Sequence, residues 1–415
     1  MIPRVFNMSL RLGSLAIKML LMLYMGKYLG LYDLGTYGLI AAVVALSIPI
    51  FGMRLEYRIS REIVGLAPDE LVIKLRDEFA FYISNYILLI IGALLWVLLF
   101  SPEIGMKIIG FTILLCVLEG ISTVACTNLI ALSRPIISNV VFFFRSSIWV
   151  IPAIALGLYD PSFRTVETII TLWAGGVSLS IITVAYIWRT LPWRLALSTP
   201  FDKNHLYSNV KKTLPIWFGE MSIVASVYID RFVVEHFLGR EYVGIISFYG
   251  AFIIAISSLL ASGIFAFAYP KMIAMHKGEQ FKELSSLTKN ITIQASVFTA
   301  ILAIIIGAVI PVLGDFMDRP EFRQYAPVLW LMLFATWIKL TTASLQHLSY
   351  ARHQDWAIWG GNFLMLTLIA VLNIVMIPIF GFIGVGYSAV IAAIALSIWR
   401  VYCMLIYNNK NKGMT

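Results

Sequence analysis

Arg4, Arg11 and Lys18 recur every seven residues through an otherwise apolar stretch. At 100° per residue successive members drift by only about 20°, so on a helix all three lie on one stripe, with Ser14 beside it. Each step rises about 10 Å, which carries the stripe from one end of the helix to its middle. Guanidinium and ammonium groups make charge-assisted hydrogen bonds to anionic oxygens, so such a ladder suits a phosphate or pyrophosphate. The plainer reading has Arg4 anchoring an interface while Arg11 snorkels or pairs structurally. Arg145 and Lys339 are two further cations isolated in apolar runs. The isolated acids are Glu119, Glu220 and Asp230, the last beside Arg231. Glu119 with Arg145 forms one candidate pair. Glu220 either pairs with Arg11 or takes up a coupling proton, and Asp230–Arg231 reads as an interfacial anchor or a second pair. Trp217 and Trp337 flank Glu220 and Lys339 and are the aromatic residues nearest this chemistry.

Hydrolytic and metal chemistry lack their usual residues. The sequence contains no Walker A loop, no G-x-S-x-G and no H-E-x-x-H. Cys116, Cys126 and Cys403 sit apart in apolar runs, so neither a metal cluster nor a disulfide framework is expected. We therefore expect no catalytic residue, no cofactor and no metal site. A transporter is expected rather than an enzyme.

The elements that carry these charges are dictated by composition. Of 415 residues, 60% are hydrophobic and 13% charged, against roughly 45–50% and about 25% in soluble domains. That balance predicts an all-α polytopic membrane protein. A crossing helix needs about 20 mostly apolar residues, and twelve such segments can be placed. Charge-free runs cover residues 34–53, 79–100, 168–188, 242–270 and 291–314. Residues 357–399 hold two more, split by the Pro- and Gly-bearing turn at 377–386. Segments 6–28, 107–131, 136–158, 213–237 and 327–347 carry one or a few charges each. Ionisable groups inside such spans are expensive, which makes those named above functional candidates.

Twelve spans place both termini on one side. Nineteen Lys and Arg residues fall on that side and six on the other, which predicts a multi-pass membrane protein with both termini cytoplasmic. The net charge of +9 then reflects cytoplasmic loops, and no nucleic-acid partner is expected. The cytoplasmic connections 54–78 and 189–212 are charged and predicted to be partly amphipathic helix at the bilayer interface.

An internal repeat joins the halves. Leu29-Gly30 followed by Gly35 matches Leu238-Gly239 followed by Gly244, an offset of 209 residues. Six spans per half give the halves the same orientation, the parallel-repeat plan of one class of transporters. The predicted lobes are residues 1–188 and 213–415, joined by a linker at 189–212, around a central cavity.

The segment 228–272, YIDRFVVEHFLGREYVGIISFYGAFIIAISSLLASGIFAFAYPKM, resembles the start of the C-terminal lobe of polysaccharide flippases. These are the O-antigen (Wzx-type) exporters of the multidrug/oligosaccharidyl-lipid/polysaccharide superfamily. The matching features are Asp230-Arg231, Leu238-Gly239 then Val243-Gly244, and Tyr269-Pro270-Lys271. KYLGLYDLGTYGLI (27–40) is similar to the family's first outer turn. The resemblance implies export of an undecaprenyl-pyrophosphate-linked oligosaccharide across the bacterial inner (cytoplasmic) membrane by alternating access, serving O-antigen and hence lipopolysaccharide assembly. It implies a cationic cavity at Arg11, Lys18, Arg145 and Lys339, and coupling to H+ or Na+ or to the membrane potential. It also implies association with polysaccharide polymerase or other assembly proteins.

Two alternatives stand beside it. One is a multidrug/cation antiporter of the same fold. The other is a membrane polysaccharide polymerase or ligase, for which Asp315, Asp318, Arg319, Glu321 and Arg323 are the only clustered candidates.

Overall fold

The computed structural model describes residues 2–100 and 105–412; the side chains of 2–9, 11, 96, 100 and 408–412 lie outside the described set. The chain is helical throughout, with no strand among the described residues. The long elements are α1 (Ile2–Tyr28), α2 (Leu31–Gly52), α4 (Pro68–Phe100), α5 (Met106–Ala131), α6 (Pro135–Tyr159) and α7 (Val166–Trp188). They continue with α9 (Lys203–Leu238), α10 (Arg240–Lys277), α11 (Phe281–Phe316), α12 (Ala326–Ala351), α13 (Asp355–Phe380) and α14 (Ile383–Lys412). Between them lie the short α3 (Leu55–Glu62) and α8 (Trp193–Ser198).

Ten of these helices are long and apolar enough to cross a membrane. The remaining long ones, α1 and α9, have 27 and 36 residues and carry the charges that dilute their hydropathy. On α4, Leu98 and Leu99 are 77% and 75% exposed. Leucines so bare belong against lipid rather than water.

The chain divides into two compact units. One comprises Met1–Leu29 and Leu39–Trp217, the other Gly30–Gly38 and Phe218–Thr415. The division falls inside α2 and inside α9.

In the first unit, α3 shows how local pattern sets position. Leu55, Ile59 and Ile63 repeat every four residues and are fully buried against Leu71, Leu75, Leu129 and Val184, while Arg61 on the opposite face is exposed. Connection 54–78 is thus an amphipathic helix followed by the charged start of α4. Connection 189–212 holds α8 and the first turns of α9.

In the second unit, α13 and α14 form a hairpin whose seam contains Met365, Ile369, Ala392 and Leu396. Gly381 makes the turn with φ of 67°, a left-handed conformation that a side chain would strain. The repeated Leu-Gly motifs make two further turns. Gly30 and Gly239 have φ of 100° and 94°, ending α1 and α9 in the same way.

Two helices are interrupted by π turns. One, Phe144–Ile148, lies within α6 and contains Arg145; the other, Ala261–Phe265, lies within α10. Such bulges are rare and concentrate at functional sites.

Candidate functional site

In the first unit, four helices bring charged and aromatic groups together. Glu119 and Thr123 come from α5, one turn apart. Arg145 comes from the π turn of α6, Trp173 from α7 and Lys18 from α1. Arg145 Nε lies 3.3 Å from Glu119 Oε2, and the same guanidinium donates to Thr123 Oγ1. Trp173 Nε1 donates to Glu119 Oε1 at 2.7 Å. Glu119, 8% exposed, therefore has both oxygens engaged. The Arg145 plane also stands 5.4 Å from the Phe142 ring, a cation–π contact.

The π turn sets this arrangement. Trp149 sends its indole N–H to the Arg145 carbonyl at 3.1 Å and stacks on Trp173 at 5.8 Å. Ser147 donates to the Ser14 carbonyl of α1 at 3.4 Å, which fixes α1 beside the turn. Lys18, one turn beyond Ser14, is exposed and lies within electrostatic range of both Glu119 and Arg145. Lys18 thus adds a second cation near the Arg145–Glu119 ion pair, and the formal charge of the three groups is +1.

In the second unit, the cations are Lys339 and Arg400. Helix α12 breaks at Thr342, where φ is −89° and ψ is 2°. The break leaves the Lys339 carbonyl available, and Arg400 Nη1 donates to it at 2.8 Å. Arg400 also donates to Thr342 Oγ1 at 3.1 Å and to Gln346 Oε1. Thr342 and Ser397 share a hydrogen bond of 3.0 Å that ties α12 to α14. Lys339 and His347 both lie in electrostatic range of Arg400. Among the described residues neither Lys339 nor Arg400 has an ion-pair partner. Beside Arg400, Gln346, Ser349, Asn362 and Cys403 line a narrow cleft of about 10 Å³, space for roughly one water.

The other expected residues fall elsewhere. Asp230 Oδ1 accepts the backbone N–H of Arg231 at 2.8 Å, and the Arg231 guanidinium, 6% exposed, lies 4.5 Å from the Tyr228 ring. No contact among the described residues joins this pair to Lys339 or Arg400. Glu220 is half-buried in the part of α9 that belongs to the second unit. The side chain of Arg11 lies outside the described residues, and with it the expected Glu220–Arg11 pair. Trp217 donates to the Pro49 carbonyl at 2.7 Å, and Trp337 to Ser296 Oγ at 3.1 Å, so both indoles bind neighbouring helices. Asp315 and Arg323 pair with each other at an exposed turn.

Arg400 is the residue that sequence reading passed over. The charge-free run 357–399 stops one position before it, which makes Arg400 look like a helix end. Helix α14 instead continues to Lys412. The available signal was the apolar pattern Val401, Cys403, Met404 and Leu405 just beyond. Trp173 and Thr123 carry no distinguishing sequence signal.

No protein-family model matches the chain. An uncharacterized membrane protein of Methanocaldococcus jannaschii is 26% identical over 310 residues, covering 69% of this chain and 70% of that protein. A multidrug resistance MATE family transporter of the MOP superfamily, in an inward-facing conformation, superposes with a TM-score of 0.73 at 12% identity, over 95% of this chain and 96% of that one. The lipid II flippase MurJ, inward closed, gives 0.70 at 14% identity, over 96% and 87%. A MOP superfamily transporter from Pyrococcus furiosus, described by a binding pocket of reverse polarity, gives 0.53 at 11% identity, over 97% and 93%. The chain therefore has the all-helical fold of these transporters along nearly its whole length.

Proposed function

We propose that this protein is a flippase that moves an undecaprenyl-pyrophosphate-linked oligosaccharide across the bacterial inner membrane, with both termini cytoplasmic. The observation that carries the reading is the excess of cations in each unit. Lys18 lies in electrostatic range of the Arg145–Glu119 ion pair, and Lys339 and Arg400 lie in range of each other with no ion-pair partner among the described residues. Such groups favour a diphosphate, whose oxygens accept several charge-assisted hydrogen bonds. Arg11, Lys18, Arg145 and Lys339 contact the headgroup while the polyprenyl tail stays in lipid. The lobes, residues 1–188 and 213–415 joined by 189–212, alternate their access, driven by H+, Na+ or the membrane potential. A polysaccharide polymerase and its assembly proteins would take the exported repeat unit.

The second reading is a multidrug exporter, supported by the likeness to the MATE fold. The net positive charge of both groups suits an anionic cargo better than cationic drugs.

A deletion strain tests the choice. Lipid-linked oligosaccharide is extracted and its side of the inner membrane determined. Complete repeat units trapped on the cytoplasmic face support the flippase. Complete units on the outer face, left unpolymerised, point to a polymerase. Unchanged pools with altered drug sensitivity point to the drug exporter.

A further inference from the structure

A second polar group lies in the first unit, at the charged end of α4. Glu78 and Tyr82 stand one turn apart on α4, Glu56 comes from α3 and Asn128 from α5. All four are buried, with Glu78 and Asn128 at 0% exposure. Glu56 is fully engaged: Arg54 Nη1 lies 3.0 Å from its Oε1, and Tyr82 donates to its Oε2 at 2.6 Å. Glu78 is not. Asn128 Nδ2 donates to its Oε2 at 2.5 Å, but Glu78 Oε1 finds no donor among the described residues. Asn128 Oδ1 is likewise a buried acceptor without a donor.

Among the described residues, the charges around Glu78 do not supply a counter-ion. From α3 it faces a like charge, Glu56. On α4 itself Arg76 is held by Asp77 and by the Ala196 and Thr199 carbonyls. Tyr82 spends its proton on Glu56. Helix α5 contributes the neutral Asn128. The only charged side chain of α8, Arg194, is exposed, and His205 of α9 is engaged with Glu62 and Lys74. A bare carboxylate here would be a buried, uncompensated charge, which is costly. A metal ion fits no better. Only two oxygens are free, where a hard cation takes about six.

One proton resolves both unsatisfied acceptors. A carboxylic acid and a primary amide pair through two hydrogen bonds, and a carboxylate can make only one of them. We propose that Glu78 is a proton-binding site, holding a proton on Oε1 and donating it to Asn128 Oδ1 while Oε2 accepts from Asn128 Nδ2. Loading takes one H+ from water onto the carboxylate; unloading returns it and breaks the acid–amide pair. Its use as the coupling proton rests on the transport reading above, whereas its protonation does not.

Infrared spectroscopy of the full chain in lipid nanodiscs tests the site. At neutral pH the wild-type protein should show a carboxylic-acid C=O band that shifts in D2O. Glu78→Gln should remove it, Glu119→Gln should keep it, and Asn128→Leu should move it to higher frequency. Gln mimics the neutral acid, so Glu78→Gln should melt near the wild-type temperature at neutral pH. Its melting should be flat with pH, whereas the wild type loses stability as the pH rises and the proton leaves. Absence of the band, or a wild-type melting temperature that Na+ raises and Glu78→Gln does not share, overturns the inference. In proteoliposomes Glu78→Gln should cut pH-gradient-driven transport at least tenfold. If the wild type moves no lipid-linked sugar but keeps the band, the flippase reading fails and the proton site stands.

Discussion

A methyl group built on Gly244 would stand 3.2 Å from the backbone nitrogen of Gly35 and 2.2 Å from the Leu31 carbonyl oxygen. The relationship is reciprocal, since a methyl on Gly35 would meet the Arg240 carbonyl oxygen at 2.0 Å. The two copies of the repeated motif therefore pack on each other, start of α2 against start of α10. Gly35→Ala or Gly244→Ala must separate two backbones that have no flexible side chain to yield. Each should cost about 1–3 kcal/mol by overpacking, read as a lower melting temperature of the purified protein. Gly110→Ala, with open space around it, should leave the melting temperature unchanged or slightly raised.

How far the sequence carries depends on range. The spans are legible because lipid demands long apolar runs, and the Gly381 turn because Gly and Pro punctuate locally. The Leu-Gly-x4-Gly repeat is legible as a recurrence, yet its reason is a contact between segments 209 residues apart. Arg145 stands out as a lone charge, but nothing in Phe144–Ile148 announces the π turn that aims it. Trp173 reads as one more interfacial tryptophan until α7 is placed against α5. Arg400 is hidden by the end of an apolar run, and Glu78 by lying one residue before another. The side chain of Arg11 stays an expectation from spacing alone.

Glu119 holds its group together electrostatically. Glu119→Gln leaves the half-buried Arg145 without its carboxylate and near Lys18, which should cost about 2–3 kcal/mol. The double variant Glu119→Gln with Arg145→Met removes both charges and should recover most of that loss. Thermal melts of the three proteins check this. Equal melting of the wild type and Glu119→Gln would mean that the pair contributes little, and equal melting of the single and double variants that the unpaired Arg145 charge costs nothing. Lys18→Ala should behave differently. Lys18 is exposed, so stability should change by no more than about 0.5 kcal/mol, while export of lipid-linked oligosaccharide falls.

The turn after α6 gives a pH dependence. Asp160 caps Pro161–Phe163 by accepting the Ser162 backbone N–H at 2.8 Å. That hydrogen bond holds its carboxyl below the ordinary value of 3.8. A depressed folded value means that the cap is at full strength above that ordinary value. It weakens as the pH falls through the lower folded one. The protection of the Ser162 amide relative to a free peptide should therefore fall only in strong acid. Asp160→Ala should lower that protection at every pH above this range.

Arg400 should be the most sensitive position in the second unit. Its guanidinium holds three acceptors at once, the Lys339 carbonyl, Thr342 Oγ1 and Gln346 Oε1. Lysine has the charge but not the planar fork, so Arg400→Lys cannot hold them in this geometry. If the group binds an anionic headgroup, Arg400→Lys should lower export at least tenfold while the melting temperature moves little. Arg400→Met should lower both, since the acceptors around the break in α12 lose their donor. Lys339→Met removes one of two like charges in electrostatic range and should raise stability or leave it unchanged, yet still reduce export. Surface-glycan staining of complemented deletion strains, with melts of the same purified variants, separates these outcomes. Normal glycan in both the Arg400→Lys and Lys339→Met strains would remove the second-unit cations from substrate binding.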